Sequence, residues 1–395
     1  MNNIGTQSIG IKAPLIKEGD DIVSIVVNSV LKSTNIEPPV GTTWLNPENH
    51  YDLNDKDIIG ITESVIARSQ GNYVTIDDIA LDIKEKYGID ATIDIIEPIY
   101  SRNRFAMILK GIARGAKKVR ILMPPVDEVG NVIHNHPFTK MNYDEYYKEI
   151  CENENCEVEI HYSPTNYLEH KENLNLLICS LHHTKEEVLS ELSLYINGSI
   201  KNCYSLIDIC NRTCEYGLLG SNKATEEKLK LFPNKKDIFI NGNLNKGSDT
   251  IVNEIKENIK EMTGRDVIVV VYGDGCYKDA VSGIWEFADP VSLVSYTDAK
   301  IMESTPNEIK LKAYIDEYID DKSDMIGVNM ETYIKNEVKS KSDLTGKMDS
   351  QGTTPRLIRD LVASLMDLTS GSGDKATPIV LVKNYFNNYA NDWYC

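Results

Sequence analysis

The residues best suited to chemistry form a short acidic turn at 273–275. Asp274 lies between two glycines and follows an apolar, β-branched run at 266–272. A carboxylate at the end of a buried strand can meet a divalent cation, because the flanking glycines let the backbone approach closely. An ordinary turn explains the same residues equally well. The sequence therefore predicts either a metal site or a plain turn at this point.

The Gly-rich stretch 215–222 has the composition of a phosphate-binding turn. We expect it to lead into a helix that begins at Ala224. Backbone amides and an asparagine at such a junction, here Asn222, can hold a phosphate. A plain helix start fits the same residues, so the stretch predicts either a phosphate contact or a helix terminus.

A second candidate phosphate loop lies at 369–377, between an expected helix at 355–368 and an expected strand at 378–382. The loop offers exposed amides and hydroxyls, but its helix-loop-strand order is the reverse of a Walker A motif. A flexible linker is the alternative, although a linker rarely joins two such firm elements. Helical spacing predicts that five apolar residues face the core: Leu357, Ile358, Leu361, Leu365 and Leu368.

Two elements must position the acidic turn. The first is a helix that we expect between Ser248 and Gly264, because serine favours an N-cap and glycine favours a helix end. The second is the buried strand at 266–272 itself. Apolar residues recur three or four apart along one face of the helix: Ile251, Ile255, Ile259 and Met262.

The rest of the chain predicts two kinds of structure. Residues 20–31 and 75–87 have helical patterns, and a short strand at 57–62 continues into a helical turn. From 95 to 200, strands alternate with helices, which is typical of a small α/β unit. That section has no GxGxxG motif, which disfavours an oxidoreductase. We therefore predict an α+β fold with mixed sheets. Its body comprises residues 1–94 and 201–395, and residues 95–200 form an α/β insertion.

Bulk composition narrows the class of protein. A chain of 395 residues with a net charge of −18 disfavours non-specific binding to nucleic acid or to an anionic membrane. The amino terminus has no signal-peptide pattern, and no apolar run approaches the roughly 20 residues that span a bilayer. The eight cysteines are scattered without a CxxC pair. We expect a cytoplasmic protein with reduced thiols.

Four separated stretches, taken together in this order, resemble one family, the γ-glutamyl ligases that extend coenzyme F420. They are 14–21, 62–71, 263–274 and 373–380. The resemblance implies a metal site at Asp274 and Gly275. It implies that the nucleotide is bound by Pro14, Leu15, Ile16, Glu63, Ser64, Arg68, Asn222, Ser370, Ser372, Gly373 and Asp374.

The resemblance also implies a reaction. A GTP-dependent ligase of this family uses Mg²⁺ or Mn²⁺ and forms an amide through an acyl phosphate, with L-glutamate as a candidate amine. It works as a cytoplasmic homodimer on a small-molecule carboxylate.

Two departures from the family pattern support an alternative. The family has a metal-binding Asp where this chain has Leu219, and a metal-linked Thr where it has Gly275. A non-catalytic nucleotide- or metabolite-binding protein on the same scaffold fits these losses. As a further hypothesis, three acids could compensate for the missing ligands: Glu215, Asp279 and Glu286.

Overall fold

A computed structural model describes most of the chain. The described residues are 4–34, 51–96, 104–123, 135, 140–162, 168, 171–180, 183–223, 225, 227–240, 242–273, 291–303, 329–330, 332–333, 336, 357–370 and 376–386. This part of the chain contains eight α-helices: α1 (Ile22–Ser33), α2 (Glu63–Ser69), α3 (Ile76–Tyr87), α4 (Arg104–Gly115), α5 (Tyr143–Asn153), α6 (Lys185–Leu192), α7 (Ser248–Thr263) and α8 (Ile358–Ser370).

The same residues form fifteen strands, and the α+β fold with mixed sheets is confirmed. The strands are β1 (Gln7–Ile11), β2 (Ile58–Thr62), β3 (Tyr73–Thr75), β4 (Thr92–Ile96), β5 (Lys118–Leu122), β6 (Glu157–His161), β7 (Leu174–Ile178), β8 (Ile200–Ser205), β9 (Ser221–Lys223), β10 (Lys228–Leu231), β11 (Ile238–Ile240), β12 (Asn243–Asn245), β13 (Ile268–Gly273), β14 (Ser292–Tyr296) and β15 (Ile379–Lys383).

The body is built on a mixed five-stranded sheet with the order β1-β15-β2-β13-β14. Strands β2 and β13 run parallel, and the other neighbours run antiparallel. Helices α1 and α7 share a core with one face of the sheet, and α8 shares a core with the other face. Because both faces are covered, the inner strands are continuous apolar runs, as predicted for 266–272.

Helix α7 follows its predicted pattern with two differences. Gly264 ends the helix in the left-handed conformation, with φ of 70°. The N-cap is Gly247, because the hydroxyl of Ser248 instead bonds the buried hydroxyl of Ser295 at 2.6 Å. Met262, which was expected to face the core, is 46% exposed.

The buried face of α8 differs from the prediction. Ile358, Val362 and Met366 are buried at a spacing of four, whereas Leu368 is 80% exposed. The close approach of Met366 to the sheet fixes this face. A Cβ added at Gly60 would lie 2.1 Å from the sulfur of Met366, so Met366 can pack against β2 only because residue 60 is glycine.

The central α/β unit is a five-stranded parallel sheet with the order β6-β5-β4-β7-β8. Numbered within the unit, this order is 3-2-1-4-5, as in doubly wound nucleotide-binding folds. Helices α4 and α5 pack on one face, and α6 packs on the other. Strand β4 begins at Thr92 and β8 ends at Ser205, so the sheet includes residues outside the predicted limits of 95 and 200. The division of the chain into domains stays a prediction.

The prediction that 215–222 leads into a helix is wrong, because strands precede and follow Ala224, which itself lies outside the described residues. Residues Ser221–Lys223 form β9, which pairs antiparallel with β10 in a small sheet completed by β3. The reason lies in β10, where Leu229 and Leu231 are buried and the lysines that alternate with them, Lys228 and Lys230, are not. This alternation has the period of a strand, and the strand pairs with 221–223.

The described helices and cysteines bear on membrane insertion and on thiol chemistry. Among the described helices, none has both the length and the apolar character needed to cross a bilayer. The six described cysteines are free thiols, and most are buried. Burial raises the pKa of the Cys210 thiol to about 12 and that of Cys203 to about 11, which keeps both protonated.

Candidate functional site

Three distant segments of the chain meet at one cavity of about 410 Å³. They are the loop before α1, the start of α2, and the region where α8 and β15 are joined. The cavity size is typical of a small-molecule site, for which roughly 300–1,000 Å³ is usual. Six residues predicted to bind nucleotide line it: Pro14, Leu15, Ile16, Ser64, Arg68 and Ser370.

Backbone hydrogen bonds hold these segments together. The amide of Ala13 donates to the carbonyl of Ala376 at 3.1 Å, and the amide of Thr62 donates to the carbonyl of Pro378 at 3.0 Å. The hydroxyl of Thr377 donates to the carbonyl of Ser370 at 2.8 Å. The two ends of the chain are therefore fastened to each other and to α2 at the rim of the cavity.

Helix α2 presents two polar groups to the cavity. Ser64 and Arg68 are four residues apart, so they lie on the same face of the helix. The Arg68 side chain is exposed and has no hydrogen bond or ion pair to any residue that the structure describes. A guanidinium group offers paired donors that match a phosphate or carboxylate, so this face can bind an anion.

Glu63 does not line this cavity. Its side chain is 2% exposed and lies on Gly273, the last residue of β13. A Cβ added at Gly273 would lie 2.2 Å from Cδ of Glu63, so only glycine leaves room for the carboxyl group. The structure therefore brings a buried carboxyl group to the end of β13, which directly precedes Asp274 in the sequence.

Five predicted site residues lie outside the described part of the chain. Asp274 and Gly275 follow directly after Gly273 in the sequence, and Ser372, Gly373 and Asp374 lie in the sequence between α8 and β15. Their roles stay predictions. Within the described ranges, no group of three or more His, Cys, Asp or Glu residues could hold a metal ion.

The position of Asn222 is described at the level of the backbone. It lies in β9 directly opposite Lys230 of β10. The ammonium group of Lys230 donates to the hydroxyl of Ser64 at 2.7 Å, which attaches β10 to the start of α2. Sequence reasoning missed Lys230, and the signal that could have found it is the alternation of lysine and leucine in β10.

Leu219 does not face the cavity. It is 9% exposed and belongs to the core that the α/β unit shares with β10. Its carbonyl accepts a hydrogen bond from the guanidinium of Arg104, at the start of α4. Glu215, one of the three acids considered as substitutes, accepts from the amide of Lys235 at 2.6 Å and does not line the cavity. The other two, Asp279 and Glu286, lie outside the described residues.

A second cavity of about 630 Å³ is lined by the part of the same loop that leads into α1 and by the end of α2. Glu18, Asp20 and Asp21 contribute three acids to its lining, and Lys246 contributes a cation. The acids are engaged locally: Asp20 accepts from the amide of Lys17 at 2.7 Å, and Asp21 caps α1. Its acidic lining makes this cavity the less suitable of the two for a nucleotide.

Comparison with known proteins gives a family match. A family model described as F420-0:Gamma-glutamyl ligase matches residues 10–384, which include the body and the α/β unit. No curated protein matches the chain.

Proposed function

The chain belongs to the F420-0:gamma-glutamyl ligase family, and from this membership we propose that it is a GTP- and metal-dependent ligase that forms an amide through an acyl phosphate. The observation that carries the proposal is the convergence of three distant segments on one cavity. Six of the lining residues are ones for which the resemblance implies nucleotide contacts. Arg68 supplies the positive charge that a nucleotide requires in a protein with a net charge of −18.

The proposed chemistry has two steps. A carboxylate oxygen of the acceptor attacks the γ-phosphorus of GTP, and GDP leaves, which gives an acyl phosphate. The amine, for which we propose L-glutamate, then attacks the carbonyl carbon, and phosphate leaves as the nitrogen loses a proton. The contribution of the protein is to hold the reacting groups in line and to stabilise negative charge on the phosphates.

A divalent metal fits the chemistry of the strand end. Magnesium and manganese prefer oxygen ligands, and the described residues bring one buried carboxyl group, that of Glu63, onto Gly273. We propose that Asp274 and Glu63 would hold the ion. Once bound, Mg²⁺ or Mn²⁺ neutralises charge on the transferring phosphoryl group.

The remaining parts of the proposal come from the family resemblance. We propose a homodimer located in the cytoplasm that binds a small-molecule carboxylate. The strongly acidic composition disfavours nucleic acid and anionic membranes as partners.

One observation favours a second candidate function, a non-catalytic protein that binds a nucleotide or metabolite on the same scaffold. Leu219 is packed into an apolar core where the family pattern implies a metal-binding Asp. A site that has lost one metal ligand could keep the nucleotide and lose the transfer step.

Thermal unfolding with GTP, ATP and GDP, each with Mg²⁺, Mn²⁺ or EDTA, tests the proposal. A ligand at about 100 times its dissociation constant stabilises the fold by about 2.7 kcal/mol. We expect stabilisation by GTP that depends on metal. Phosphate release from GTP with candidate carboxylates and L-glutamate then separates a ligase from a binding protein, which would bind GTP without turnover.

Replacing Arg68 tests the site itself. Arg68→Ala should weaken GTP binding by about 10- to 100-fold, because it removes a charge-assisted contact worth about 1.5–3 kcal/mol. Arg212→Ala is the matched control, since Arg212 is an exposed arginine outside the cavity that pairs with Glu85. Equal effects of the two variants on the dissociation constant would refute the role of Arg68.

A further inference from the structure

Lys230 belongs to none of the segments that carry the family resemblance, yet it reaches the candidate site. It lies in β10, and its ammonium nitrogen is 2.7 Å from the hydroxyl oxygen of Ser64. Both residues are half-buried, and 166 positions of sequence separate them. The contact joins the small sheet to the helix that lines the cavity.

The chemistry of the two groups fixes the direction of this hydrogen bond. An ammonium group has donors and no acceptor, so Ser64 must accept. The hydroxyl hydrogen of Ser64 is then left to donate to another group, and Ser64 lines the cavity of about 410 Å³. Lys230 therefore orients the hydroxyl as a donor that a ligand in the cavity can accept.

The position of the charge adds to this effect. A ligand oxygen that accepts from Ser64 at about 2.7–2.8 Å would lie within roughly 5–6 Å of the ammonium nitrogen. At that separation a partly buried cation still attracts an anion appreciably. Arg68 lines the same cavity one turn further along α2, so an anionic group bound at Ser64 would have the guanidinium of Arg68 in the same cavity and the ammonium of Lys230 behind the hydroxyl.

We propose that Lys230 is a positioning residue for the phosphate groups of the nucleotide. It holds Ser64 as a hydrogen-bond donor and places a second positive charge beside the cavity. This inference rests on the proposed function, because it requires that the cavity binds a nucleotide. Its competitor is a structural role in which Lys230 only fastens β10 to α2.

The two roles differ in which ligands they affect. A positioning role for phosphate should change affinity for GTP more than affinity for GMP, since the two share the base and sugar. A structural tether should change both affinities together, or change only stability. Lys228 provides the matched control, because it is a lysine of the same strand whose ammonium group lies over the ring of Tyr73, 4.0 Å from its centroid, whereas the hydrogen bond to Ser64 comes from Lys230.

The experiment measures dissociation constants for GTP and GMP by calorimetry with Mg²⁺ for five proteins: the natural chain and the variants Lys230→Met, Lys230→Arg, Lys228→Met and Ser64→Ala. We expect Lys230→Met to weaken GTP binding about tenfold or more and GMP binding less than threefold. Lys230→Arg should recover most of the loss, and Lys228→Met should bind GTP as the natural protein does.

A double variant keeps the test valid if the single change alters the fold. If Lys230 acts through Ser64, Lys230→Met combined with Ser64→Ala should weaken GTP binding by less than the product of the single effects. If Lys230→Met left the affinity for GTP unchanged, or lowered the affinities for GTP and GMP equally, the inference about Lys230 would be overturned. The proposed function would be unaffected by that result. A natural protein that binds no GTP would overturn the proposed function, and the inference with it.

Discussion

At the scale of single residues, the candidate site combines two cations with the hydroxyl group of Ser64 in a strongly acidic protein. Arg68 faces the cavity directly, and Lys230 acts on it through Ser64. Glu63 is kept apart from this cationic face, on Gly273 at the end of β13. The arrangement places positive charge where phosphates would bind and a carboxyl group where a metal ion is predicted.

Asp21 stands at the start of α1, in the loop that lines both cavities, and it gives a pH-dependent prediction. Its carboxylate accepts from the hydroxyl of Ser24 at 2.6 Å and from the amide of Ser24 at 3.2 Å. These bonds, chiefly that from the hydroxyl, hold the pKa of Asp21 below its ordinary value. Because the folded-state pKa is the lower one, the stabilisation is complete above about pH 4 and is lost as the pH falls through the folded-state pKa.

We expect Asp21→Ala to lower the free energy of unfolding by about 0.5–2 kcal/mol at pH 7, the usual cost of losing an N-cap. The difference from the natural protein should shrink below pH 4. Urea unfolding at pH 7 and pH 3 measures both values. Asp21→Asn is the control, since asparagine also caps helices but does not titrate. A difference for Asp21→Ala that is the same at both pH values would contradict the prediction.

At the scale of elements, helix α4 of the α/β unit makes hydrogen bonds and ion pairs with residues next to β9 and β10. Helix α4 carries Arg104, which bonds the carbonyl of Leu219 and, at 3.4 Å, the hydroxyl of Ser221. It also carries Lys110 and Arg114, which pair with Glu227 just before β10. The β9–β10 pair is thus held between α4 on one side and Ser64 of α2 on the other.

A buried ion pair inside the parallel sheet gives a prediction about this unit. Asp94 of β4 is fully buried, and the Nε and Nη2 atoms of Arg120 in β5 each lie 2.7 Å from one of its carboxylate oxygens. Burial raises the pKa of Asp94, and the hydrogen bond and positive charge of Arg120 oppose that rise. We expect Arg120→Met to destabilise the protein by about 3–5 kcal/mol, because it leaves a buried carboxylate without its partner.

Urea unfolding of Arg120→Met and of the double variant Asp94→Leu/Arg120→Met measures this effect. Replacing both charges by apolar groups should restore most of the stability, since the pair itself adds little net free energy. A double variant that is less stable than Arg120→Met would show that the pair is needed for packing and not only for mutual neutralisation.

At the scale of the whole molecule, both ends of the chain build the site. Strand β15 lies between β1 and β2, so the last described strand is an inner strand of the body sheet. The residues just before it, Ala376 and Pro378, bond the loop before α1 and the start of α2. Stability of the body and geometry of the site therefore depend on the same strand.

Replacing Leu381 in β15 tests the contribution of this strand to the stability of the body. It is fully buried, so Leu381→Ala should cost about 2–5 kcal/mol in the free energy of unfolding, because it removes apolar contacts and leaves a cavity. Leu368→Ala is the matched control, since Leu368 is 80% exposed and its replacement should change stability by less than about 0.5 kcal/mol. If urea unfolding showed similar losses of stability for the two variants, the assignment of Leu381 as buried and Leu368 as exposed would be wrong.

The sequence by itself determined the elements whose signal is local. Strand β13, the end of α7 at Gly264 and the alternation of strands and helices in the α/β unit were all predicted, because apolar periodicity and capping residues act within a few positions. The sequence also identified the family, because four short stretches in the family's order resemble its motifs. It did not identify the buried face of α8, whose choice depends on Gly60 in a distant strand.

Only the tertiary structure decided which side chains share a cavity. Ser64 and Lys230 are 166 positions apart, and Leu219 points into an apolar core although it lies two residues before β9. Contacts of this kind arise from strand pairing and from the packing of separate cores, in which distant segments compete for one position. The alternation of lysine and leucine in β10 indicates a strand, but no local pattern shows that Lys230 contacts Ser64, which is why that contact became visible only in the fold.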